Sequence, residues 1–205
     1  MREIGLFPLP IVLLPTELVP LHIFEQRYRE LIGQCYEEDQ EFGILLEDDK
    51  GRRSVGTTAA ITEMLARLPD GRMNVVVTGG TPFEVVEQTS GHLYDTALIE
   101  LLADEPSDPS EAEVKRLLDA FSRLASAAEQ KPASLDENTE GLAFRLAAIV
   151  ELEVGVKQKL LELRSERSRI VALAKVFEAA ASTLAWRALA KKRAPGNGRF
   201  EGPSA

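Results

Sequence analysis

The stretch PLPIVLLPTELVPLHIFEQRY, from Pro8 to Tyr28, leaves this chain few choices of structure. Pro8, Pro10, Pro15 and Pro20 punctuate a run of aliphatic residues, which passes directly into Glu25-Gln26-Arg27. A secretory signal needs a basic start, an unbroken apolar core and a small-residue cleavage site. Here Pro8, Pro10 and Pro15 break the run, and no A-x-A follows. A membrane helix needs roughly 20 apolar residues in a helix-permitting run, and these prolines break it. A hydrated proline-rich ligand would be polar, and this ribbon is aliphatic. Buried extended structure remains, since proline is tolerated at strand starts, edges and bulges.

The rest of the chain divides by period. Leu6–Leu14 reads as short extended pieces, with a turn at Pro15-Thr16-Glu17, and Val19–Phe24 as the next strand. Tyr28, Leu31, Ile32, Cys35 and Tyr36 then recur at helical spacing, which predicts an early helix with Cys35 on its apolar stripe. Phe42–Leu46, Thr57–Leu68, Met73–Thr78, Phe83–Glu87 and Tyr94–Leu102 read as strands. Asp48-Asp49-Lys50-Gly51 and Pro69-Asp70-Gly71 mark turns, and Gly79-Gly80 marks a break. About six or seven short strands around one helix suit a small twisted barrel.

The composition shifts at the acidic, proline-containing linker Ala103–Pro109. Ser110-Glu111-Ala112-Glu113 is a capping-box sequence opening a helix through Val114, Leu117, Leu118, Phe121, Leu124 and Ala125. Lys131-Pro132 is expected to end it. Leu142, Leu146, Ile149 and Val150 trace a second helix and Val156–Leu163 a short third. Ser165–Arg193 forms a long last one with Ile170, Leu173, Ala174, Phe177, Ala181 and Leu184 on one face. The expected fold is α+β: a β-rich subdomain over 1–103, a helical subdomain over 104–193 and a disordered tail over 194–205.

At 205 residues and 44% hydrophobic content the chain can bury a sizeable core. One cysteine, Cys35, allows no internal disulfide, and points to a reducing, cytoplasmic setting. The net charge of -9 is unevenly spread. Met1–Val156 carries 13 basic and 29 acidic residues, and Lys157–Arg193 carries 10 and 3. The basic segment reads either as a helix whose positive groups neighbour the acidic body, or as a docking surface for an acidic partner or nucleic acid.

Catalytic motifs are absent. There is no G-x-x-x-x-G-K-[ST], G-x-S-x-G or H-E-x-x-H. Thr78-Gly79-Gly80-Thr81 lacks the lysine and helix of a phosphate loop and reads as a turn or bulge. Cys35, His22 and His92 are the residues from which a nucleophile site could be built. Cys35 on an apolar stripe reads instead as a small buried hydrophobe, and the three have no zinc-site spacing. Glu37-Glu38-Asp39 and Asp48-Asp49 read as solvated turns rather than cation sites. Trp186 is either a packing residue or an exposed anchor for a partner. No catalytic, cofactor or metal-ligating residue is assigned, and the substrate-contacting residues are left open.

Leu6-Phe7-Pro8-Leu9-Pro10, Val12-Leu13-Leu14-Pro15 and Pro20-Leu21-His22-Ile23-Phe24-Glu25-Gln26-Arg27-Tyr28 together resemble the opening signature of the Lon protease N-terminal (substrate-binding) domain family. Phe42-Gly43, Val55-Gly56-Thr57, Pro69-Asp70-Gly71-Arg72 with Val77-Thr78-Gly79 and Phe83, and Lys157–Glu162 extend the likeness from Ile4 to about Val176. Leu14 departs from the usual Phe, and Glu17 stands near a usual Gly. The resemblance implies a PUA-like β pseudobarrel followed by a helical bundle. It also implies binding of unfolded or tagged polypeptides, self-association, and work alongside a Lon-type protease in protein quality control. It does not imply proteolysis. The sequence ends at Ala205, before an ATPase or Ser-Lys module, and a free-standing, non-enzymatic protein without cofactor is expected. Phe7, Ile23, Phe24 and Tyr28 are expected in the core. Glu25 and Arg27 are expected to pair with each other or to bond backbone.

Two further readings compete with polypeptide binding. PUA-like folds often bind RNA, and Lys157–Arg193 is basic. But aromatics are only 6% and the barrel half is acidic, which does not favour nucleic acid. An adaptor docking through the last helix would use Trp186 and Lys191-Lys192-Arg193.

Overall fold

The computed structural model describes residues 1–129 and 141–193, with side chains to 186. Lys131-Pro132, the tail from 194 and the side chains of Lys191-Lys192-Arg193 lie outside the described residues. The elements run β1 (Arg2–Leu9), β2 (Leu18–Ile23), α1 (Gln26–Glu38), β3 (Phe42–Asp48), β4 (Gly51–Arg67), β5 (Met73–Thr89) and β6 (Thr96–Leu101). Then follow α2 (Glu111–Ala127), α3 (Leu142–Ala148), α4 (Val154–Glu162) and α5 (Glu166–Arg193). Among the described residues the architecture is α+β, with the strands first and four of the five helices after them.

Five strands close on themselves. β1 pairs with β3 and β6, β4 with β3 and β5, and β5 also with β6. Only β1–β3 is parallel. β2 lies outside this ring, antiparallel to the first half of β5. The prolines sit where a missing N–H costs nothing. Leu6–Leu9 is paired on the β3 side alone, and the Leu6 N–H already faces away from β3, donating to the Asp95 carbonyl at 2.7 Å. Pro8 shares that parity. Pro20 lies in β2, which pairs only with β5.

Several elements differ from the sequence reading. Gly79-Gly80 does not break β5, which runs through to Thr89, and Phe83–Glu87 is its second half. The glycines are there for space. An ideal Cβ on Gly79 would lie 2.0 Å from the Leu14 carbonyl oxygen, and one on Gly80 would lie 2.4 Å from the Thr58 hydroxyl. The proline-rich ribbon crosses β5 at this point. The Thr16 N–H donates to the Gly79 carbonyl at 2.8 Å, and the Gly79 N–H donates to the Glu17 carbonyl at 3.0 Å. β4 begins at Gly51, before Thr57, because the turn at Asp49-Lys50 starts its pairing with β3 at once. Extended structure over Leu6–Leu14 is confined to β1; Val12, Leu13 and Leu14 form a buried connection. The second helix stops at Ala148, so Ile149 caps it and Val150 lies beyond.

The helical half builds one core. α2 opens with the full capping box: the Glu113 N–H donates to the Ser110 hydroxyl, and the Ser110 N–H donates to the Glu113 carboxylate. α2 and α5 run side by side in the same direction. Arg167 meets Glu113 near their starts, and Phe121 meets Phe177 further along, ring centroids 5.8 Å apart. Leu117, Leu146, Ile170 and Leu173 fill the centre. Val12, Leu14 and Leu46 from the strand half belong to the same cluster, so the bundle core extends onto the barrel, whose own interior forms two further clusters. Its edge carries polar ties. Lys157 pairs with Glu17, whose second oxygen accepts the Leu14 N–H at 2.9 Å. Gln158 donates to the Val55 carbonyl at 3.2 Å. Arg169, only 3% exposed, is held by Asp104, Glu166 and the Leu163 carbonyl.

Two stability outcomes follow from this crossing. Gly79→Ala places a methyl against backbone and should lower urea-unfolding stability by about 1–3 kcal/mol. Lys157→Ala strands a largely buried carboxylate and should cost roughly 2–4 kcal/mol, with Glu17→Gln/Lys157→Met recovering part of the loss. Equal stability of Lys157→Ala and the double variant would show that the ion pair does not hold the junction.

Candidate functional site

The signature ribbon and α1 carry most of the residues singled out in the sequence. Phe7, Ile23 and Tyr28 are buried, with Phe7 and Tyr28 rings 4.1 Å apart. Phe24 is not in the core: it is 61% exposed. β2 alternates, with Val19, Leu21 and Ile23 turned inward and Leu18, Pro20 and His22 outward, and Phe24 continues the outward parity. Its ring stacks beside His22 at 6.0 Å. Glu25 and Arg27 pair with each other at 3.0 Å, and the Arg27 guanidinium lies over the Tyr28 ring. Between the end of β1 and the end of β2 is an opening of about 230 Å³ lined by Phe7, Pro8, Ile23, Phe24 and Tyr28 among others.

The candidate nucleophile does not assemble. His22 is hydrogen-bonded to Asn74 on β5 (Nδ1 to Oδ1, 2.6 Å), away from Cys35. Cys35 and His92 do line one polar cavity of about 560 Å³ with Arg2, Gln34, Glu41 and Tyr94. But His92 stacks on Tyr94 at 4.9 Å, and the Tyr94 hydroxyl donates to Gln34 rather than orienting a base. Cys35 is 6% exposed, and burial, with Glu38 adding a smaller push, raises its thiol to about 11. It is a neutral thiol at physiological pH. Among the described residues no group of three or more His, Cys, Asp or Glu is placed to hold a metal ion. Glu37 and Glu38 end α1 with Asp39 as its left-handed C-cap, and the Asp48 carboxylate accepts the Lys50 N–H at 2.9 Å, so the first cluster closes a helix and the second shapes a turn.

The junction of barrel and bundle is packed, and a wide apolar opening lies within the bundle. A groove of about 900 Å³ runs between α2, α5 and the α3–α4 connection. Phe121, Leu124, Phe177 and Leu184 form its walls, and Ile149, Glu151 and Glu153 stand on its rim. Ile149 is 54% exposed. Sequence reasoning missed this groove because it read Ile149 and Val150 as the buried face of a longer helix. Trp186, 70% exposed on α5, is an exposed residue and not a packing one.

These features define a class: a β-ring and helical-bundle domain with apolar openings on a rigid frame. The model of the ATP-dependent protease La (LON) substrate-binding domain family matches residues 3–177, and the chain belongs to that family. The chain is 26% identical over 170 residues to the Lon protease of Cytophaga hutchinsonii, covering 74% of this chain and 21% of that protein. It is 25% identical over 176 residues to that of Flavobacterium johnsoniae, covering 77% and 21%. It thus spans about a fifth of the length of these relatives. Among solved structures, a Lon N-terminal domain protein from Xanthomonas campestris superposes with a TM-score of 0.66 at 23% identity, covering 83% of this chain and 95% of that one. The N-terminal domain of Mycobacterium avium complex Lon protease gives 0.63 at 16% identity, covering 88% and 98%. Both likenesses show the shared fold. No helix among the described residues is long and apolar enough to cross a membrane.

With its thiol near 11, native Cys35 should react with iodoacetamide at pH 8 about two orders of magnitude more slowly than after unfolding in guanidinium. The folded value lies above the unfolded one of 9.0, so this group's contribution to stability is complete below pH 9 and is lost as pH rises through 11. Fast stoichiometric labelling of the native chain would contradict both statements.

Proposed function

We propose that this chain is a non-catalytic polypeptide-binding module that recognises unfolded or tagged segments in cytoplasmic protein quality control. The observation that carries the reading is the match to a substrate-binding domain family over residues 3–177. The groove of the bundle and the opening beside Phe24 supply apolar surface of the kind a polypeptide segment would cover. We read 1–103 and 104–193 as two subdomains joined through the bundle core. Self-association, or work beside a Lon-type protease, would fit the same role.

An RNA-binding role is weakened by the pairing of four cations of the basic segment within the fold. Lys157, Arg167 and Arg169 are matched to Glu17, Glu113, Asp104 and Glu166, and the Arg164 guanidinium donates to the Ala103 carbonyl. An adaptor reading has one observation in its favour, the exposure of Trp186 on α5.

Fluorescence anisotropy with labelled, reduced and carboxymethylated α-lactalbumin tests the main reading. Saturable binding with Kd below about 100 µM is expected. Ile149→Asp, which adds a third carboxylate beside Glu151 and Glu153, should change the affinity if the groove is used. No binding at that concentration would sink the reading. Trp186 is the sole tryptophan of this chain, so a blue shift of its emission on binding a tryptophan-free unfolded polypeptide would bring α5 into the contact instead.

A further inference from the structure

We propose that β2 is a pairing edge for an extended polypeptide segment, which seats one large apolar side chain in the opening beside Phe24. The proposal rests on the polypeptide-binding reading and names the site and the form of the bound segment.

The direction of the backbone groups follows from the ladder. The Gly79 N–H donates to the Glu17 carbonyl at 3.0 Å, and the register continues as Leu18↔Thr78, Val19↔Val77, Pro20↔Val76, Leu21↔Val75 and His22↔Asn74. In an antiparallel pair the hydrogen-bonded positions alternate. Glu17 is such a position, so Val19, Leu21 and Ile23 turn their N–H and C=O groups toward β5. Leu18, Pro20 and His22 turn theirs away. Pro20, with no N–H to offer, lies at one of these outward positions, as the alternation requires. All three residues are exposed, and among the described residues the outward amides of Leu18 and His22 meet no backbone acceptor.

At the end of this edge lies the Phe24 opening. At about 230 Å³ it is smaller than the roughly 300–1,000 Å³ of small-molecule sites. It has room for a single side chain. Its walls are aromatic, proline and aliphatic. The two charged residues that line it, Glu25 and Arg27, are already matched to each other. No charge of either sign is left for a charged partner, so the complementary occupant is uncharged, apolar and extended. Main-chain pairing would supply affinity, and the opening would choose the side chain.

Prolines on sheet edges ordinarily discourage pairing with another sheet. Here Pro20 removes the central donor and leaves those of Leu18 and His22 with all three outward carbonyls. A short segment can pair in the register that uses these two donors. A long regular edge would find a gap at its centre.

The test uses the full chain and the same reduced, carboxymethylated α-lactalbumin, with amide hydrogen exchange read residue by residue by NMR. Under saturating polypeptide the Leu18 and His22 amides should slow about tenfold or more, while Val19 and Leu21, already bonded to β5, stay unchanged. Phe24→Ser, at an exposed position, should weaken binding about fivefold or more with unfolding stability intact. Binding that leaves the Leu18 and His22 amides untouched would overturn this proposal and keep the polypeptide-binding reading, with the bundle groove as its site. Absence of any binding would overturn both.

Discussion

Everything in this structure turns on the crossing of the Pro10–Glu17 ribbon over β5. The two backbones approach so closely at Gly79 that no side chain fits between them. That approach sends Val12 and Leu14 into the helical core and presents Glu17 to Lys157 on α4. Without it, the β-ring and the bundle would each keep an uncovered apolar face. The buried Thr57 hydroxyl fastens the ribbon from the other side, donating to the Leu13 carbonyl at 2.6 Å. Burial supplies most of the free energy of such a junction. The polar groups fix its geometry, because each would be costly to leave unpaired in the interior.

Part of the charge asymmetry of the chain is taken up by the same assembly. Read along the sequence, Lys157–Arg193 looks like a basic surface in search of an acidic ligand. In three dimensions several of its cations face the acidic linker, the start of α2 and the ribbon. Arg169 shows how completely this is done. Burial alone would depress its basicity, and the hydrogen bonds and charge of Asp104, with Glu166 behind them, more than offset that. The acidic linker Ala103–Pro109 is thus a structural partner of α5. The Glu105 N–H also donates to the Arg164 carbonyl at 2.7 Å.

Much of this was legible in the sequence, for identifiable reasons. α1 was readable because Tyr28, Leu31, Ile32 and Cys35 repeat at helical spacing and are buried, although Tyr36, read on the same stripe, is exposed at its edge. The start of α2 was readable because a capping box is a local signal. What failed depended on contacts between distant residues. Gly79-Gly80 looks like a break when only the local chain is considered; the reason for glycine there is Leu14, which lies 65 residues earlier. Phe24 looked like core because aromatic residues usually are. The alternation of β2 held the correction, since Phe24 shares the outward parity of Pro20 and His22. The bundle groove had no sequence signal at all, as its walls come from α2, α5 and the connection after α3.

An exposed aromatic residue bordering a proline-lined opening is costly for a protein that must not aggregate. Native edges are usually blunted, and this one carries Pro20 in β2 and Pro8 across the gap in β1. The same prolines make an exposed Phe24 tolerable. They deny a second sheet the regular row of donors it would need, while leaving enough main-chain groups for a short segment. The rigid crossing beneath holds the opening in place. A site built this way is open before anything binds, and little ordering of the domain is then needed on binding. The proline-rich ribbon therefore has two consequences from one composition: its aliphatic residues build the core, and its prolines decide which edges stay free.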